Sequence, residues 1–130
     1  MNPQEIAARI VEEIFDMEAL LGKLKRGTAR RQTWQQQLHG HVQALEGLVQ
    51  ILRMTIMMDR PASEQLAAAR DLIKATRMAA LAVSGSRADQ TTLATVKLID
   101  SHARHISDAF EAELRQSVEP LARERPVRHG

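Results

Sequence analysis

The chain has no cysteine among its 130 residues. Disulfides, thiolate metal sites, cysteine nucleophiles and c-type haem attachment are therefore excluded. Tyrosine is also absent, and Phe15, Phe110 and Trp34 are the only aromatic residues. Base-stacking platforms for single-stranded nucleic acid are correspondingly scarce. The most apolar stretch, Leu45 to Met58, is interrupted by Glu46 and Arg53. It falls short of the roughly 20 apolar residues that a membrane span requires, so no membrane association is expected. The beginning of the chain carries Glu5, Glu12, Glu13, Asp16 and Glu18. A secretory leader has instead a basic start and an uncharged apolar run. A cytoplasmic location is the expectation.

Phosphate loops are lacking too, because Ser84-Gly85-Ser86 has neither the lysine nor the spacing of one. There is no Glu-x-x-His and no His-Glu-x-x-His, the pairs by which helices usually supply metal ligands. His102-x-x-His105 has the spacing to chelate from one helix, but the pair alone has low specificity. No nucleophile–base–acid constellation stands out, and Glu12 beside Glu13 reads as a solvated face. The expectation is a non-enzymatic protein with no cofactor and no metal.

What is present is a helical vocabulary of alanine, glutamine, leucine and arginine, with 44% apolar residues and a net charge of +2. No strand-like alternation occurs, and the reading is all-α. Asn2-Pro3-Gln4-Glu5 opens a first helix as cap, first-turn proline and acid. Ala7, Ile10, Ile14, Met17, Leu21 and Leu24 form its apolar stripe, and Gly27 ends it. A second helix starts at Thr28 or at Thr33. Thr33 with Gln36 resembles a capping box and is preferred. Its stripe is Trp34, Leu38, His41, Leu45, Leu48, Leu52 and Ile56, and Asp59-Arg60-Pro61 breaks it. The third helix covers Pro61 to Ser84, with Leu66, Ala69, Leu72, Ile73, Ala80 and Val83 inside. Asp89 caps the fourth, whose stripe is Leu93, Val96, Ile99, Ala103, Ile106, Phe110 and Leu114, and Pro120 is expected to stop it. Residues 1–119 would form the domain and residues 120–130 a mobile basic tail. Long segments with short connections favour an antiparallel up-down-up-down four-helix bundle, with self-association open and an intertwined dimer as the alternative.

Two surface features follow. On a wheel of about 100° per residue, Gly40, Ala44, Gly47, Ile51, Met54 and Met58 gather on one side of the second helix. Glycine in a helix interior is unfavourable by about 1 kcal/mol relative to alanine. Close approach of another helix is a plausible compensation, and methionine adapts to varied shapes. Either the first and third helices cover this strip, or it is an interface for a protein partner or a second copy. The other feature is a basic block, Lys23, Lys25, Arg26, Arg30 and Arg31, at the first helix–helix connection, with Arg87 expected at the same end. Such a block suits phosphate contacts, and it also suits the duller task of neutralising helix ends.

The wheel splits His39-Gly40-His41. His39 points about 120° from the core direction, toward solvent, and His41 about 40° from it, toward the core. The preferred start at Thr33 displaces His41 from His102 and His105 by roughly 8–12 Å along the bundle, which weakens a three-histidine cluster and leaves their convergence open. The primary expectation is a helical adaptor, assembly or regulatory protein that binds another protein or itself through an apolar helix face. The alternative is a small nucleic-acid-associated subunit using the basic block.

Overall fold

The computed structural model describes the backbone of residues 3–127 and the side chains of residues 4–115. It contains four helices, α1 (Pro3–Gly27), α2 (Thr33–Met57), α3 (Ala62–Ser84) and α4 (Gln90–Val127). They form the expected four-helix bundle. Each helix contacts its two neighbours in the order α1, α2, α3, α4 and back to α1, and the diagonal pairs do not come close among the described residues. Glu18 pairs with Arg53 and Lys25 with Glu46, so moving forward along α1 means moving backward along α2. Arg70 pairs with Glu111 and Thr76 with Asp100, which gives the same reversal between α3 and α4.

The core is one continuous cluster. Its largest fully buried side chains include Ile6, Met17, Leu21, Leu38, Leu52, Leu72, Ile99 and Ile106. The stripe of α4 lies where its spacing predicts, with Leu93 and Leu114 partly buried. The other stripes are rotated slightly. In α1, Ile6 is buried and Ala7 is exposed. In α2, Val42 and Val49 join Leu38, Leu45 and Leu52 inside, while Trp34, His41, Leu48 and Ile56 sit at the edge. In α3, Ala68, Thr76 and Ala79 are buried, and Ile73 and Ala80 lie at its margin. A helix between two neighbours buries a wide arc rather than a narrow line, and which edge of the arc is favoured depends on where those neighbours lie.

Thr76 and Asp100 make a buried polar contact in the α3–α4 seam. Its hydroxyl lies 3.1 Å from Asp100 Oδ1 and 2.9 Å from the Ile73 carbonyl. Arg104 donates from Nη2 to Asp100 Oδ2 at 2.5 Å. The buried carboxylate is thus charge-paired and hydrogen-bonded, the condition under which burial is tolerated.

Helix ends follow local chemistry, with three corrections. First, α2 is capped by Gln32 rather than Thr33. Gln35 Oε1 accepts from the Arg31 and Gln32 amides at 2.9 Å each, and Gln32 Oε1 accepts from the Trp34 indole at 2.6 Å. The capping box is shifted by one residue because glutamine reaches where threonine was expected. Second, Pro61 precedes α3 instead of opening it, and its carbonyl accepts from the Glu64 and Gln65 amides. Third, α4 continues through Pro120 to Val127. Proline removes one backbone donor and bends a helix, but does not oblige it to stop. The tail expected from residue 120 is therefore helical backbone as far as Val127; residues 128–130 and Asn2 lie outside the described residues.

The α2–α3 turn needs a left-handed residue, and Asp59 supplies it at φ 51°. Arg60 N–H bonds the Thr55 carbonyl and Asp59 N–H the Ile56 carbonyl, closing the helix as a glycine-type cap does. Aspartate tolerates this region better than most residues. Asp89 caps α4 as expected: its Oδ1 accepts from the Thr92 hydroxyl at 2.6 Å and its Oδ2 from the Thr92 amide at 3.3 Å. These bonds hold its carboxyl below the usual aspartate range.

Candidate functional site

The α2 strip faces outward. Gly40, Ala44, Gly47, Ile51, Met54 and Met58 are all exposed. Ile51 is 54% accessible, Met54 50% and Met58 63%. Among the described residues, a Cβ added to Gly40 or Gly47 would meet no atom within 4 Å beyond its own stretch of helix. The idea that α1 and α3 cover the strip is thereby corrected: both pack on the flanks of α2, and neither reaches over its outer face. Met57, which lies off the strip, is more exposed than Ile51, Met54 or Met58. With Met54 it borders a groove between α1 and α2 that Glu18, Leu21, Val49 and Arg53 also line. Phe15 and Val11 of α1 are exposed as well. The pairing of Glu18 with Arg53 puts Phe15 at the level of the last turn of α2. Both helices thus expose large apolar groups, at similar levels along the bundle.

At the opposite end of α2 lies the basic block. Lys23, Lys25, Arg26, Arg30 and Arg31 are all exposed, as is Arg87. Asp89 and the start of α4 border the same hollow as Lys23 and the α1–α2 connection, so the two connections do share one end. Among the described residues, Lys25 is the one member of the block in an ion pair, 3.5 Å from Glu46.

The histidines part company. His39 is half-buried, and its Nε2 lies 2.7 Å from the Thr28 carbonyl. The expectation that it meets water is corrected: it ties α2 back to the preceding connection. His41 sits at the core edge of α2, across the diagonal from α4, and does not join His102 and His105. Those two converge on Glu13 of α1. His102 Nδ1 bonds Glu13 Oε2, and His105 Nδ1 is 3.4 Å from Glu13 Oε1. The imidazole centroids are 6.3 Å apart with the rings at 89°. One ligand atom from each of the three residues lies within 4.8 Å of the other two. Histidines three apart share one flank of a helix, and α1 lies against that flank. The sequence alone places Glu13 on a solvated face beside Glu12. Its half-buried position becomes visible only once α4 is known to be its neighbour.

Comparison with family models, with curated proteins and with solved structures finds no match to this chain. Among the described residues, no helix is long and apolar enough to cross a membrane.

Proposed function

We propose that this chain is a non-enzymatic helical assembly or adaptor protein of the cytoplasm, which binds a protein partner through the outer face of α2. The observation that carries the reading is the exposure of Gly40, Ala44, Gly47, Ile51, Met54 and Met58, with no described residue of another segment within 4 Å of where a Cβ would stand on either glycine. Two unfavourable helix-interior glycines are compensated when a second helix comes close, and an adaptable methionine surface suits such a contact. A second copy of the chain is the simplest occupant, since pairing α2 with its own equivalent about a two-fold axis requires only one such face.

Light scattering over a concentration series, with a photo-crosslinker at Ile51, tests this. The expected result is twice the chain mass, falling to the single-chain mass for Gly47→Leu while helicity by circular dichroism is kept. Single-chain mass at every concentration, together with no crosslink from position 51 in an extract of the native host, overturns the reading.

The exposed basic block supports the second reading, a nucleic-acid-associated subunit. Phosphate contacts would give binding that weakens steeply with salt. A low-salt gel shift lost in the Arg30→Ala, Arg31→Ala double variant is expected under it. No shift in the wild type removes it.

A further inference from the structure

We infer that Glu13, His102 and His105 form a binding site for a divalent transition metal of the zinc class, which clamps α1 to α4. The proposal lies apart from the α2 face and stands or falls without it.

Two imidazole nitrogens and a carboxylate are borderline and hard ligands. The chain has no thiolate to offer, and calcium and magnesium prefer all-oxygen shells. Two histidines with one acidic residue are a recurrent three-ligand set for zinc, with a fourth position left for water. Geometry agrees with it. Tetrahedral ligands about 2.0–2.1 Å from zinc are separated from one another by roughly 3.4 Å; His105 Nδ1 stands 3.4 Å from Glu13 Oε1, while His102 Nδ1 is hydrogen-bonded to Glu13 Oε2 and would exchange that shared proton for the metal. The two rings stand perpendicular instead of stacking, and one ligand atom from each of the three residues lies within 4.8 Å of the other two. The side chains grade from the interior outward: Glu13 is 15% accessible, His102 21% and His105 50%. The two inner ligands are therefore held by their surroundings, and the outer one leaves an entry path.

Location gives the site its consequence. A metal held by Glu13 from α1 and by two residues of α4 joins segments 89 positions apart in sequence. Any ligand that binds the folded state alone stabilises it by mass action. Saturation far above the dissociation constant is expected to raise the melting temperature by roughly 5–10 °C.

The test uses zinc sulfate and the full chain. Competition with a chromophoric chelator is expected to give one equivalent bound at micromolar affinity or tighter, with the thermal shift above. Loss of an outer-shell partner alone weakens metal sites 10–100-fold, so loss of a ligand in His105→Gln is expected to weaken binding by at least about a hundredfold. His105 is half-exposed, so this variant is expected to fold. Glu13→Gln and His102→Gln are expected to act in the same direction, and His39→Gln to bind as the wild type does. Cobalt in place of zinc is expected to give a visible absorption band that His105→Gln loses. Absence of one-to-one binding in the micromolar range overturns the proposal. So does zinc affinity that His105→Gln leaves unchanged.

Discussion

The two seams of α1 are built differently. Toward α4 it makes an extensive contact and places the half-buried Glu13 between two histidines. Toward α2 the contact is slighter. It is spanned by the exposed pairs Glu18–Arg53 and Lys25–Glu46 above a groove. Solvent decides what each polar contact contributes. Exposed ion pairs are screened and contribute little, whereas a partly desolvated carboxylate–imidazole contact interacts in a lower dielectric. The α4 seam is therefore the stronger join, and the α2 seam is the one with surface to spare.

A cavity in the core common to all four helices has the largest effect. Met17 is fully buried, and Met17→Ala is expected to destabilise the fold by about 2–5 kcal/mol in chemical denaturation. Next come double-mutant cycles run without metal, one on each seam. The Glu13–His102 coupling is expected to be about 1–2 kcal/mol, and the Glu18–Arg53 coupling about 0.2–1 kcal/mol. Equal couplings would erase the distinction between the seams.

Asp89 sits at the end where α1 meets α4. Asp89→Ala is expected to cost about 1 kcal/mol near neutral pH, through loss of the cap. Its folded-state pKa is lowered by the Thr92 hydroxyl and amide. The contribution is therefore fully present above the ordinary aspartate value and fades as pH falls through the lower, folded one. Wild type and variant are expected to converge in acid, as read by thermal melts across that range. The smallest expected change is a gain. No described residue crowds a Cβ at Gly47, so Gly47→Ala is expected to stabilise the single chain by roughly 0.5–1 kcal/mol. The same substitution weakens self-association where the bare backbone is a contact, so measuring both quantities on one variant separates them.

Much of the fold was legible because steps of three and four recur in each segment and because Gly27, Pro61 and Asp89 stand at or beside helix ends. The misses arise where the outcome depends on a neighbour. Ile6 and Ala7 are adjacent in sequence, and only the position of the rest of the bundle decides which one turns inward. Val42 and Val49 lie at one side of the arc and His41 and Leu48 at the other; packing chose the valines. His102 and His105 were visible as a pair from their spacing alone. Glu13 was not, because no local rule says which flank of α1 meets α4. The α2 strip was visible as a grouping, but its exposure was not, since a buried helix and an outward-facing one share the same small residues. Pro120 lies inside α4 because proline's preference against a helix interior is strong but not absolute.

Trp34 carries one more consequence. It is the only indole in a chain without tyrosine, it packs against the core edge, and its N–H is tied to Gln32. Near-ultraviolet emission from the protein therefore reports on a single place, the entry to α2. Circular dichroism averages over all four helices. Following both signals during unfolding shows whether that entry opens with the bundle or ahead of it, and no label has to be introduced.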